Sequence, residues 1–127
     1  MILGIHHVSM KCQGGDEFAR AKAFYLGTLG LSLVREWPQG VMISAGSGLI
    51  EIFCNGEGVK EKGAVRHFAL TVDDVDACIE KVRRAGYKIL VEPKDLTIPS
   101  DPPFRARMAF CQGPLYEQIE FFQELSA

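Results

Sequence analysis

The sequence predicts an α+β fold made of two tandem β-α-β-β-β modules. The first observation is an internal repeat, because residues 5–11 (IHHVSMK) are similar in pattern to residues 65–71 (VRHFALT). The second is that residues 49–53 (LIEIF) are similar to residues 118–122 (QIEFF). The third is that helical and extended patterns follow one another in the same order between these segments in both halves.

Each half contains one predicted amphipathic helix, over residues 16–26 and 73–82. Their apolar stripes are Phe18, Ala21, Tyr25 and Leu26 in the first helix and Val75, Cys78, Ile79 and Val82 in the second. Acidic residues begin the second helix and basic residues end it, which suits the helix dipole. We expect Gly27 or Gly30 to end the first helix and Gly86 to end the second.

Strands are predicted from short apolar runs that are bounded by glycine and proline. They are residues 31–36, 41–45 and 49–54 in the first half, and 88–92, 104–111 and 117–122 in the second. Module 1 therefore covers residues 1–54 and module 2 covers residues 65–127, with a linker at residues 55–64. The proline-rich residues 93–103 are predicted to be a loop over the mouth of a site.

Composition and charge exclude several classes of function. The chain has 127 residues and a formal net charge of −2, so it lacks the basic excess of a protein that binds nucleic acid or anionic membranes. No apolar run approaches the ~20 residues of a membrane span, and the N-terminal residues do not read as a signal peptide. The four cysteines include no CxxC pair, so we expect reduced thiols in a cytoplasmic protein.

Strand alternation predicts that each half presents one histidine and one glutamate on the sheet face away from its helix. These side chains are His7 and Glu51 in the first half, and His67 and Glu120 in the second. A carboxylate in an apolar strand is costly to bury unless it is paired or binds a metal ion. His6 has the opposite parity and is expected to lie outside this set.

Together, His7, Glu51, His67 and Glu120 are predicted to form a metal site. Two imidazoles and two carboxylates provide mixed nitrogen and oxygen donors that suit Zn²⁺, Ni²⁺, Co²⁺, Mn²⁺ and Fe²⁺, and ligand type alone does not choose among these ions. Four protein ligands leave a position for water or substrate on a five- or six-coordinate ion. This favours an octahedral ion over a structural zinc.

Two further groups are candidates for binding a substrate. Arg105 and Arg107 alternate with apolar residues on a predicted strand. They either bind a carboxylate or phosphate of a substrate or cofactor or are ordinary strand-surface arginines. Candidates for an apolar pocket, or alternatively for core or dimer contacts, are Trp37, Met42, Phe53 and Phe122.

Three segments resemble the vicinal-oxygen-chelate superfamily, which includes glyoxalase I, bleomycin-resistance proteins and extradiol dioxygenases. They are residues 24–31 (FYLGTLGL), 66–74 (RHFALTVDD) and 113–121 (GPLYEQIEF), in the order found in that superfamily. The resemblance covers essentially the whole chain. It implies curved mixed sheets that form a metal-binding cleft.

The number of predicted metal ligands indicates which proteins of the superfamily the chain resembles most. Extradiol dioxygenases resemble the chain through three ligands, His7, His67 and Glu120, and methylmalonyl-CoA epimerases commonly have glutamine at the position of Glu51. The full tetrad looks most like glyoxalase I, the lactoylglutathione lyase, and the short chain resembles its bacterial form, which favours Ni²⁺ or Co²⁺. The alternatives are another metalloenzyme of the superfamily (an epimerase or an extradiol-type dioxygenase) and a non-catalytic small-molecule-binding or resistance protein.

The resemblance to glyoxalase I implies a reaction and an assembly. The reaction is the isomerisation of the hemithioacetal of a thiol and a 2-oxoaldehyde to a 2-hydroxyacyl thioester. The metal ion lowers the cost of an enediolate, Glu120 is the mobile base that moves the proton, and Glu51 is a second acid or base or a fixed ligand. Members of this length commonly form homodimers, in which His7 and Glu51 of one chain meet His67 and Glu120 of another.

Overall fold

The computed structural model describes residues 1, 3–57, 63 and 65–125. The chain divides into two compact units, Met1–Lys60 and Glu61–Ala127. Each unit has one helical region and one four-stranded sheet, which confirms the predicted α+β fold of two β-α-β-β-β modules. In the predicted linker at residues 55–64, residues 58–62 and 64 lie outside the described residues.

The first unit has a mixed sheet and one helical region. Its elements are β1 (His7–Lys11), α1 (Gly14–Lys22), a π-helical segment (Ala23–Thr28), β2 (Ser32–Trp37), β3 (Gly40–Ser44) and β4 (Leu49–Phe53). The strand order is β1-β4-β3-β2, with β1 parallel to β4 and the other neighbours antiparallel. Because β1 and β4 are parallel, matching positions of the two strands lie side by side on the same face.

The π-helical segment changes which residues of the first helix reach the core. A π-helical turn contains more residues than an α-helical turn, and the adjacent residues Phe24 and Tyr25 are both fully buried. Leu26, which a 3.6-residue period places in the apolar stripe, is only half-buried. Gly30, one of the two glycines predicted to end this helix, follows with a positive φ of 70°.

The second unit repeats the topology of the first. Its elements are β5 (Phe68–Thr71), α2 (Val75–Arg84), β6 (Ile89–Ile98), β7 (Phe104–Gln112) and β8 (Gln118–Glu124). The strand order is β5-β8-β7-β6, and β5 is parallel to β8. Asp74 caps α2 by accepting a hydrogen bond of 3.0 Å from the N–H of Ala77, and Gly86 ends it with φ 89°, as predicted.

The predicted loop at residues 93–103 is wrong in its first half, because β6 continues to Ile98 and pairs with β7. Pro93 has no N–H to donate to a sheet, which is why the sequence argues against a strand at this point. β6 is an edge strand, and the pairing register shifts between Val91 and Lys94. A strand tolerates proline at the edge of a sheet and at a bulge in the pairing register.

In each unit the core lies between the helical region and one face of the sheet. The largest fully buried side chains are Phe24, Tyr25, Val41, Ile43, Ile50 and Ile52 in the first unit and Val75, Ile79, Val82, Ile119 and Phe121 in the second. The four cysteines are free thiols, as predicted, and burial raises the pKa of Cys111 to about 12. In the described part of the chain, no helix has both the length and the apolar character needed to cross a membrane.

Candidate metal site

In the first unit, His7 and Glu51 lie next to each other on the paired strands β1 and β4. The register places Ser9 beside Glu51, so His7, two residues earlier, lies on the same face as the glutamate. Nε2 of His7 is 3.5 Å from Oε1 of Glu51. The Glu51 side chain is 10% exposed and that of His7 is 37% exposed. The carboxylate is therefore buried, whereas the imidazole is partly open to solvent.

The second unit builds the same pair from His67 and Glu120. Here the register places Ala69 beside Glu120, which is again two residues after the histidine. Nε2 of His67 is 3.4 Å from Oε1 of Glu120, and the two side chains are 40% and 14% exposed. The ring of Phe110, which pairs with Glu120 across β7 and β8, meets the His67 ring edge to face with the centroids 5.0 Å apart.

The donor atoms of each pair are of the kinds that divalent transition metals bind. Their separation of 3.4–3.5 Å is long for a hydrogen bond, so each pair is a loose ion-pair contact. In the described part of the chain, each carboxylate has its histidine as ion-pair partner, and no lysine or arginine joins either pair. A buried carboxylate with such a partner can still be stabilised further by a cation.

The structure brings His7 beside Glu51 and His67 beside Glu120. His7, Glu51 and Glu120 lie on the predicted face of their strands, and His67 immediately precedes β5. Among the residues that the structure describes, no group of three or more histidine, cysteine, aspartate or glutamate side chains comes together as a metal site.

His6 has a contact that strand alternation did not predict. Its Nδ1 lies 2.9 Å from Nδ1 of His7, and the two rings are nearly perpendicular. His6 precedes β1, so the alternation that holds along the strand does not decide where its side chain points.

An aromatic cluster of Trp37 and Phe53 lies on the same sheet face as Glu51. Trp37 pairs with Gly40, and Gly40 pairs with Phe53, two residues after the glutamate on β4. The rings of Trp37 and Phe53 meet edge to face with the centroids 5.7 Å apart. Met42 lies directly beside Glu51. Three of the four residues predicted for an apolar pocket, Trp37, Met42 and Phe53, thus lie on the same face of the first sheet as Glu51.

The fourth predicted pocket residue, Phe122, belongs to the second unit. It lies on the same face of β8 as Glu120 and pairs with Met108 on β7. Apolar side chains therefore flank both carboxylates within their own sheets.

We expect Gly40→Ala to displace the indole of Trp37. A Cβ at residue 40 would lie 2.5 Å from Cζ2 of Trp37, so the ring must move, at a cost of about 1–3 kcal/mol in the free energy of unfolding. Trp37 is the single tryptophan, so its emission spectrum reports the change directly. The matched control is Gly15→Ala, where a Cβ meets nothing within 4 Å. Unchanged emission in the Gly40 variant would contradict this packing.

Arg105 and Arg107 lie on the face of the second sheet opposite to Glu120. Phe110 pairs with Glu120, so the odd-numbered residues of β7 face the other way. Arg107 donates hydrogen bonds to Asp76 of α2 at 2.8 and 2.9 Å and to Asp95 of β6 at 2.8 Å. The hydrogen bond from Arg107 holds the pKa of Asp76 below its usual value.

Arg105 is 3.7 Å from Asp95 and is largely exposed. Arg107 thus joins β7 to α2 and to β6, and Arg105 joins β7 to β6 only. Their predicted role in binding a substrate or cofactor stays a prediction.

Residues 4–100 match the model of the Glyoxalase/Bleomycin resistance protein/Dioxygenase superfamily. The chain belongs to this superfamily. The resemblance inferred from the three sequence segments is thereby confirmed. No curated protein matches the sequence.

Solved structures similar to this superfamily member share its fold over nearly the whole chain. A glyoxalase family protein from Bacillus anthracis is 22% identical, with 98% of both chains covered and a TM-score of 0.72. TnmS3, an antibiotic binding protein from Streptomyces sp. CB03234, is 21% identical, with 98% of both chains covered and a TM-score of 0.73. A glyoxalase/bleomycin resistance protein/dioxygenase from Alicyclobacillus acidocaldarius is 17% identical, covering 97% of this chain and 92% of its own, with a TM-score of 0.71.

Proposed function

We propose that this protein is a metal-dependent lyase of the glyoxalase I type. It would convert the hemithioacetal of a thiol and a 2-oxoaldehyde to a 2-hydroxyacyl thioester. The observation that supports this proposal is the histidine–glutamate pair that recurs in both units with the same register, with Nε2–Oε1 distances of 3.5 and 3.4 Å. A single pair of this kind is an ordinary ion pair. Two such pairs at matching positions of a repeated module favour one function to which both pairs contribute.

The proposed ligands are His7 and Glu51 from the first unit with His67 and Glu120 from the second. Imidazole and carboxylate donors suit Ni²⁺ or Co²⁺, which we favour, and also Zn²⁺, Mn²⁺ and Fe²⁺. When bound, such a cation supplies Lewis acidity that stabilises negative charge on neighbouring substrate oxygens. All remaining steps belong to side chains of the protein.

Glu120 is proposed to be the base that moves the proton. Its carboxylate takes the proton from the carbon that carries sulfur and returns it to the adjacent carbonyl carbon. The hydroxyl proton of the first carbon is transferred to the oxygen of the second carbon. The first carbon is thereby oxidised to the thioester and the second is reduced to the alcohol, so no external oxidant or reductant is needed. Glu51 and Glu120 are both mostly buried, at 10% and 14% exposed, and the resemblance to glyoxalase I is what favours Glu120 as the mobile base and Glu51 as a second acid or base or a fixed ligand.

A second candidate is the non-catalytic binding of an aromatic small molecule. Two observations favour it: the half-buried cluster of Trp37 and Phe53 on the sheet face of Glu51, and the similarity of the fold to an antibiotic binding protein. Stacking on aromatic rings and burial of apolar area would provide the affinity. This candidate needs no proton transfer and so no mobile glutamate.

We expect purified protein treated with a chelator to have no hemithioacetal isomerase activity, and added Ni²⁺ or Co²⁺ to restore it. The assay follows thioester formation from methylglyoxal with glutathione, and then with bacillithiol, because the residues do not specify the thiol. Bound metal without turnover with either thiol would favour an epimerase or dioxygenase of the same superfamily. A chain that binds none of the five metals would favour the non-catalytic binder.

The remaining expectations belong to this proposal as well. We propose a cytoplasmic homodimer that acts on a small-molecule substrate and binds neither nucleic acid nor membranes. The near-neutral net charge of −2 supports the last two points.

A further inference from the structure

We propose that His6 is a positioning residue for His7, and that it orients the Nε2 atom of His7 toward Glu51 and a bound metal. This inference rests on the proposed function, because it concerns how one of the proposed ligands is held. It assigns a task to a histidine that strand alternation placed outside the ligand set.

The geometry fixes both ends of the His7 ring. At one end, Nδ1 of His7 lies 2.9 Å from Nδ1 of His6, which is a hydrogen-bond distance. At the other end, Nε2 faces Oε1 of Glu51 at 3.5 Å. The perpendicular orientation of the two imidazole rings, with the centroids 5.2 Å apart, lets one Nδ1–H point at the other Nδ1.

A histidine that binds a metal through Nε2 carries its proton on Nδ1, and this N–H needs an acceptor. The Nδ1 of a neutral His6 is such an acceptor, because only one nitrogen of a neutral imidazole carries a proton. In the absence of metal the same contact can form with the donor and acceptor exchanged. His6 can therefore serve His7 in both states without moving.

The second unit provides an internal comparison, because Arg66 occupies the position before His67. A guanidinium has only donors and cannot accept a proton from the imidazole. His67 is instead contacted by the edge-to-face ring of Phe110. The two proposed ligand histidines thus have different neighbours. Among the described residues, only His7 has a second imidazole within hydrogen-bond distance of its Nδ1.

The first test uses the metal-free protein and nuclear magnetic resonance. Long-range ¹H–¹⁵N correlation spectra should show a hydrogen-bonded Nδ1 in His7, and His6→Ala should remove that signature while the signals of His67 stay unchanged. His7 signals that are identical in the wild type and the His6 variant would overturn the inference. His6 is exposed, so the variant is expected to fold.

The second test is titration with Co²⁺, followed by the visible absorption of the bound ion. We expect His6→Ala to weaken Co²⁺ binding about tenfold, the lower end of the effect of such partners, because the pair is partly open to water. His6→Asn should restore most of the affinity, since its amide oxygen can accept the hydrogen bond near the position of the lost nitrogen. Arg66→Ala, the matched control, should leave the affinity unchanged.

The outcomes of the titration separate the two proposals. A wild-type chain that binds no Co²⁺ would overturn the metal proposal itself. Co²⁺ binding that is equally tight in the wild type and in His6→Ala would overturn only the role of His6. Equal losses in His6→Ala and Arg66→Ala would also count against it, because they would point to the charge or stability of both strands rather than to an acceptor.

Discussion

Glu120→Gln is expected to lower the turnover of the hemithioacetal by about 100-fold or more, since a positioned general base contributes 10²–10⁴-fold. Glutamine keeps the size of the side chain and an oxygen that can still face His67, but it cannot take up the proton. The loss should therefore fall on kcat, with a smaller change in metal content. Steady-state kinetics and metal analysis of the same preparation measure the two effects separately.

The matched control is Glu124→Gln, a substitution on the same strand and the same face as Glu120. Glu124 is exposed, so the variant should retain wild-type kcat and KM. Glu51→Gln should instead act mainly on metal affinity, because Glu51 is proposed to be the fixed ligand. Full activity of Glu120→Gln would remove Glu120 from the mechanism, and a loss of kcat in Glu51→Gln alone would exchange the two roles.

Strand alternation was sufficient to predict the histidine–glutamate pairs. In a strand the side chains alternate strictly, and in a parallel pair the register brings matching positions together. His7 and Glu51 share a face because the apolar residues that alternate with them face the helix in both strands, and the register of β1 and β4 agrees. The internal repeat supplied the same conclusion for His67 and Glu120.

Other features depend on contacts between elements, and for that reason the sequence alone did not reveal them. Arg107 alternates like a surface residue, and only the position of α2 shows that Asp76 lies beside it. Pro93 argues against a strand unless it is known that β6 is at an edge. The π-helical segment breaks the 3.6-residue period on which the placement of Leu26 depended. For Arg107 and Pro93 a tertiary neighbour outweighed the local signal, whereas in the π-helical segment the backbone itself departs from the period.

The proposal that His7 and Glu51 of one chain meet His67 and Glu120 of another can be tested by complementation. His7→Ala and His67→Ala should each be inactive as homodimers, since even a partner of a metal ligand is worth 10–100-fold in affinity and loss of the ligand itself costs about 100-fold or more. A heterodimer of the two variants, purified by two different tags, would combine an intact first pair with an intact second pair at one of its two sites. We expect about half of the wild-type activity and metal content per dimer.

The matched control for this experiment is a heterodimer of His7→Ala and Glu51→Ala. Both substitutions damage the first pair, so neither site of this heterodimer contains four ligands, and it should stay inactive. If each site is formed within one chain, both heterodimers have a damaged ligand set at every site and neither recovers. Recovery in the first heterodimer and not in the second is thus the result that only a site shared between two chains can produce, whereas an active monomer with full metal content would exclude it.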